Sequence, residues 1–282
     1  MKEFPVRRRI LADKSFKAII VLLSFACILP MLFILFFITR KGISVINWSF
    51  LTQLPKPVGE AGGGILNGLI GTFMLIAVST LLSVPVGVFA GIFLSEYRKG
   101  RLAYLVRLSI ETLQGIPSIV IGIVAYVWIV VPMSSFSALS GGVALALMML
   151  PVIITATGET LKLIPDSLRE ASLALGVSYP RTILKVVLLS GLSGILTGIL
   201  LSVARVAGET APLLFTAFGS PFMGINILKP VNTLPLMIFN YATSPYPEWH
   251  RLAWGASFVL IVFVLGINLF TKLVTRRWKV QF

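Results

Sequence analysis

From its apolar and charged positions, the chain is a series of long apolar runs parted by short charged clusters. A helix needs about 20 mostly apolar residues to cross the hydrocarbon core of a bilayer. The first run of that length covers residues 18–38, between Lys17 and Arg40. Arg7, Arg8 and Arg9 precede it as in a secretory signal. The run is nevertheless long for a signal core, lacks a small-residue cleavage site and is followed by more runs, so it is predicted as a retained anchor. The second run covers 65–94. It holds Pro85 and a Gly87-x-x-x-Gly91 pair, which would let another helix approach closely. No residue between Thr112 and Gly158 is charged. That stretch is too long for one span and suits two, with a turn at 132–137. A fifth run, 186–204, carries Gly194-x-x-x-Gly198, and a sixth covers 252–271. The expected fold is an all-α polytopic membrane protein with six transmembrane helices.

Composition narrows the class. Hydrophobic residues make up 57% of 282 positions, 12% are charged, and the mean hydropathy is +0.97. Too little charge is present to give a soluble domain of this length its surface, whereas lipid can solvate apolar surface directly. The net charge of +14 does not indicate nucleic acid, because it is spread in clusters between apolar runs instead of lying on one soluble face.

The clusters set the orientation instead. With six spans, one side holds Lys2, Arg7, Arg8, Arg9, Lys14 and Lys17, then Arg98, Lys99, Arg101 and Arg107. It also holds Lys162, Arg169, Arg181, Lys185, Lys272, Arg276, Arg277 and Lys279. The other side holds Arg40, Lys41, Lys56, Lys229 and Arg251, and Arg205 falls on neither. The excess of lysine and arginine marks the cytoplasmic side. Both termini are therefore expected in the cytoplasm. Tyr246, Trp249 and Trp254 at the outer edge and Trp278 at the inner edge read as interfacial anchors.

Residues 210–248 fit this scheme least well. Lys229 and Glu248 are their only charges, so parity alone permits two further spans there. Pro212, Pro221, Pro230, Pro235, Pro245 and Pro247, interleaved with glycines and asparagines, argue against continuous lipid-facing helices. Short helices and re-entrant structure on the extracytoplasmic side are expected.

Candidate chemistry is sparse. Cys27 is alone inside an apolar run, and His250 has no second histidine or cysteine, so neither a disulfide nor a metal site is expected. No G-x-x-x-x-G-K-[ST] loop is present, and Gly62-Gly63-Gly64 lacks a following lysine. No serine has a histidine base. The chain is not expected to be an enzyme, and no residue is proposed as catalytic.

The most informative segment lies between the fourth and fifth spans, Pro165-Asp166-Ser167-Leu168-Arg169-Glu170-Ala171-Ser172-Leu173-Ala174-Leu175-Gly176. Ser167 and Glu170 have capping-box spacing, Gly176 is a natural helix stop, and Ser178 with Pro180 favours a second helical start. The product would be a compact helix-turn-helix on the cytoplasmic face; an ordinary amphipathic connector remains the alternative from spacing alone. Glu170-Ala171-Ser172, three residues, then Gly176 resembles the EAA loop of binding-protein-dependent ABC importer permeases with a type-1 core. Ser172 departs from the second alanine of that pattern. Val186, Leu188 and Leu189 stand where it prefers isoleucine, leucine and proline. A second run, from Gly198 through Ala204-Arg205-Val206-Ala207-Gly208-Glu209-Thr210-Ala211-Pro212 to Ala217, resembles the signature of PstA-type phosphate permeases. Ile116-Pro117-Ser118 through Gly122 is similar to that family too.

The resemblance implies an organisation and a set of partners. A cytoplasmic segment (1–17), a first helix (18–39) and an extracytoplasmic loop (40–64) would precede a permease core (65–277) with its coupling loop at 165–181. Residues 278–282 would form a cytoplasmic tail. Glu170, Ala171 and Gly176 would couple to the ATPase, and Arg205, Glu209 and Thr210 would line the phosphate path. The implied partners are a PstC-like second permease, a PstB-like ATPase dimer that binds ATP and magnesium, a PstS-like extracytoplasmic phosphate-binding protein, and membrane lipid. No cofactor is expected in this chain.

Arg205 has two readings. One is a snorkelling arginine neutralised by Glu209 one turn later. Alternatively, its planar, permanently charged donor fork suits phosphate oxygens, with Glu209 weakening the grip. Arg107 with Glu111, and Glu159 with Lys162, read as pairs that neutralise charge near the interface. A permease for another oxyanion, the PstC-like partner and a secondary transporter are the rival functions. The last would need intramembrane ionisable groups, for which only Arg205 and Glu209 qualify.

Overall fold

In the computed structural model, residues 6–277 other than Ala61 and Arg98 are described, with side chains over 8–273. The tail 278–282, with Trp278 and Lys279, lies outside them, as do Lys2, Arg98 and the side chains of Arg7, Arg276 and Arg277.

Inside a bilayer only helices satisfy every backbone N–H and C=O within one segment, and the apolar runs fold accordingly. Helix α1 (Val6–Ile43) is continuous. The short α2 (Trp48–Thr52) is capped by Asn47, which accepts from the Phe50 N–H at 2.7 Å, and leads back into α3 (Leu66–Glu96). Helices α4 (Arg101–Gly115) and α5 (Ser118–Met133) meet at a bend of 108°. Then follow α6 (Ala138–Lys162), α7 (Asp166–Ala174), α8 (Tyr179–Ser190) and α9 (Leu192–Val206), the last two bent by 67°. Short α10 (Ala211–Leu214) and α11 (Leu234–Ala242) precede α12 (Pro247–Arg277). Helices α1, α3, α6 and α12 are each long and apolar enough to span a membrane. Among the described residues, the bent pairs α4–α5 and α8–α9, each counted as one span, bring the number to six, the number that the run lengths predict.

Two boundaries differ from expectation. The third span does not begin near Thr112; the chain breaks at Ile116, whose ψ of 128° is extended because Pro117 disfavours a helical residue before it. The fifth helical segment starts earlier than residue 186, at Tyr179, and bends at Gly191. The expected turn at 132–137 is present: Ser134 adopts a left-handed φ of 51°, and Ser137 and Ser140 form a capping box that opens α6.

Helix α6 is the centre of the bundle. Two-thirds (67%) of its most apolar window is buried, against 0% for α1, so α6 is wrapped by protein while α1 lies at the periphery. Both glycine pairs read from the sequence face α6. A Cβ on Gly87 would stand 2.7 Å from Ile153, and one on Gly91 2.5 Å from Thr157. On the neighbouring face, Gly194 abuts Thr160 and Gly198 abuts Ala156. The small residues thus let α3 and α9 pack closely side by side on neighbouring faces of one helix. Leu145, Met149 and Ile153 of α6 form the buried core with Leu75, Leu213 and Leu236.

Residues 207–246 contain no spanning helix. They form α10, α11 and irregular chain, with a single bridge from Phe218 to Val231. Asn67 donates to the Ser220 carbonyl at 2.9 Å, and the Leu234 N–H donates to Thr72 Oγ1 at 2.9 Å. This segment is therefore folded back onto the start of α3.

Candidate functional site

Arg205 lies in the last turn of α9, and Glu209 follows after the chain turns at Ala207 and Gly208. Both line a cavity of about 320 Å³ with Gln114 at the end of α4, Pro117 and Ser118 at the break, and Pro151. Pro151 stands halfway along α6, so the cavity is at mid-depth in the bundle and not at an outer interface. The exposed side of Arg205 is on the outer surface of this single chain. A charged face at that depth cannot be left to lipid, so it requires a protein or aqueous neighbour.

The expected neutralisation of Arg205 by Glu209 does not occur. No ion pair or hydrogen bond joins them, because α9 ends at Val206 and the helical i,i+4 geometry stops before Glu209. Among the described residues the guanidinium has no acceptor and is aimed at the cavity it lines. Thr210 lines a different, mostly apolar cavity of about 470 Å³ with Ile38, Pro235 and Phe239. Arg205 and Glu209 are brought together; Thr210 is not among them.

At the basic end of the bundle, α7 forms the expected short helix, but not by a Ser167–Glu170 capping box. It begins one residue earlier, at Asp166 after Pro165, with no side-chain cap, and Asp166 pairs with Arg169 instead. Its end is as predicted. Gly176 has a φ of +77°, its N–H donates to Leu173 at 2.9 Å, and Val177 N–H donates to Ser172 at 3.3 Å. These paired bonds are a Schellman stop, which places a left-handed residue after the helix. Glu170, Ala171 and Gly176 are exposed, with Leu163 and Leu175 nearby at 82% and 83% exposure. Such uncovered leucines form a surface suited to a partner.

Arg169 is the residue the sequence reading passed over. It is buried, and one guanidinium nitrogen donates to Asp166 at 2.7 Å and to the Ile164 carbonyl at 3.1 Å. The other donates to Glu96 at 3.3 Å and to the Leu161 carbonyl at 3.2 Å. Tyr179 OH donates to the second oxygen of Glu96. Glu96 ends α3, the Leu161 carbonyl is in the last turn of α6 and that of Ile164 just past it, and Tyr179 opens α8. A single clasp therefore ties α7 to three membrane helices. The Asp166–Arg169 spacing was a local signal for part of it; the Glu96 partner, far away in the chain, had none.

The pattern described as "Binding-protein-dependent transport system inner membrane component" matches residues 83–280. "Phosphate transport system permease protein PstA" of Yersinia pestis is 42% identical over 250 residues, covering 88% of this chain and 85% of that protein. The chain belongs to the PstA family of transport permeases. A probable PstA of Methanocaldococcus jannaschii is 37% identical over 260 residues, covering 92% of each chain, so the PstA likeness spans bacteria and archaea. Among solved structures, an inward-facing MetNI methionine ABC transporter chain aligns with a TM-score of 0.65 at 20% identity, covering 76% of this chain and 96% of that one. An amino acid ABC transporter aligns at 0.56 with 16% identity, covering 76% and 93%. Both show that the PstA-family chain has the importer permease fold. Its departure at Ser172 has a structural counterpart: Ser172 Oγ bonds Thr182 Oγ1 at 2.9 Å, and both are buried, stitching α7 to α8.

Proposed function

We propose that this chain is the transmembrane permease subunit of an ATP-driven inorganic phosphate importer, supplying half of the translocation path. The observation that carries this reading is Arg205, a permanent cation without an acceptor of its own, beside Glu209 in a mid-depth cavity on an uncovered face. A guanidinium presents parallel N–H donors that match the oxygens of phosphate, and its charge persists at any physiological pH. The missing wall of that cavity belongs to a second, PstC-like permease.

In this reading the basic end is cytoplasmic, following the lysine and arginine excess, and both termini lie there. The exposed edge of α7 around Glu170, Ala171 and Gly176 seats in a PstB-like ATPase, which binds the ATP and magnesium. A PstS-like binding protein delivers phosphate at the opposite end. Closure of the ATPase pair displaces α7, and the path opens outward; hydrolysis resets it. The whole complex, not this chain, is the ATP-hydrolysing translocase. Purified complex in lipid should hydrolyse ATP faster when phosphate-loaded binding protein is added, and not when sulfate or molybdate replaces phosphate. Equal stimulation by sulfate would move the chain to another oxyanion system.

A further inference from the structure

The charge pairs at the basic end, Arg107 with Glu111 and Glu159 with Lys162, have the spacing of interfacial neutralisers, yet the fold gathers them. Helix α4 lies against α6 so that Arg107, Glu111 and Gln114 face Thr155, Glu159 and Lys162 around a cavity of about 350 Å³. Gln114 also lines the cavity that holds Arg205. Along α6, Pro151, Thr155, Gly158 and Lys162 line the two cavities in turn, and residues three or four apart share one helix face. The cavities are thus successive parts of one groove, which runs about 16 Å from mid-depth to the end of α6 at 1.5 Å per residue.

The groove concentrates charge from separate parts of the chain. Three helices contribute, and each cation is accompanied by a carboxylate close in sequence: Arg205 by Glu209, Arg107 by Glu111, and Lys162 by Glu159, which it bonds at 2.7 Å. Independent anchors would each snorkel outward to the nearest headgroups. These line one concavity instead. Without them, an oxyanion leaving Arg205 would have to shed its hydration against an apolar wall, which is prohibitive for a charged group. Balanced charge pairs attract an anion without trapping it.

We infer that this groove is a second anion station, through which Gln114 passes an inorganic oxyanion from Arg205 to Arg107 and Lys162 for release at the basic end. The inference rests on the phosphate-permease reading and adds the route by which the ion leaves. Two measurements on the assembled transporter test it. Arg107→Gln and Gln114→Leu should each lower phosphate uptake by about tenfold, the scale of one lost charge-assisted hydrogen bond, while binding-protein-stimulated ATP hydrolysis persists. Thr155→Cys in a Cys27→Ser background should react with an anionic thiol reagent applied from the basic end, and inorganic phosphate should slow that reaction. Parental uptake by both groove variants, or labelling of Thr155→Cys that phosphate leaves unchanged, would overturn the groove. Failure of the parental complex to import phosphate would instead remove the reading on which it rests.

Discussion

A guanidinium at mid-membrane costs about 3 kcal/mol even on insertion scales that allow for snorkelling. Arg205 bears that cost without a carboxylate bonded to it, and the cavity beside it is the place where an incoming anion would offset it. Arg205→Gln should therefore insert and assemble but import little or no phosphate. Arg205→Lys should recover only part of the rate, since it keeps the charge and loses the fork. Uptake assays on membranes with matched complex content check this, and parental transport by Arg205→Gln would reduce the arginine to an anchor. Gly176 acts differently. A Cβ there meets nothing within 4 Å, so its requirement is conformational: a β-branched residue at φ +77° costs roughly 1 kcal/mol or more. Gly176→Val should uncouple hydrolysis from uptake, and Gly176→Asn, which tolerates left-handed backbone, should retain more. Equal transport by the two would separate Gly176 from coupling. The residue type at 176 made its φ readable from sequence, whereas the missing Arg205–Glu209 contact was not readable, because it depends on where α9 stops.

At the scale of elements, a coupling helix works only if its displacement reaches the membrane helices. Exposed Glu170 offers α7 an outward contact, but the clasp of Arg169, Glu96 and Tyr179 is what ties it inward. Removing one partner from a buried ion pair costs about 3–5 kcal/mol, chiefly because the other is left unpaired. Arg169→Ala should lower the complex's thermal stability by that order and abolish coupled uptake, since it also frees the carbonyls at and just past the end of α6. Glu96→Arg combined with Arg169→Glu should regain some of the lost coupling; no regain, with the single variants as harmful as the pair, would assign Arg169 to carbonyl capping alone. The helices themselves were legible because run length, glycine pairs and the turn at 132–137 are local signals. The break at Ile116–Pro117 was signalled by Pro117 itself, whereas the start of α4 at Arg101 was obscured by the charges that precede the uncharged stretch. The clasp was hidden because Glu96 and Arg169 are 73 residues apart.

The whole molecule is a central helix, α6, flanked by glycine seams, with a peripheral α1 and one charged concave face left open. An open charged face at membrane depth is incompatible with a solitary channel in lipid and compatible with half of a path. In the proposed assembly, the exposed edge of α7 completes that picture as the seat of an ATPase subunit. The central claim is tested most directly by ATP-dependent accumulation of radiolabelled phosphate in proteoliposomes. These would hold either this chain alone or this chain with its partner permease, ATPase subunits and binding protein. Accumulation that appears only in the full assembly, needs ATP, and disappears with Arg205→Gln is the predicted result; robust phosphate flux through the chain alone without ATP would contradict it.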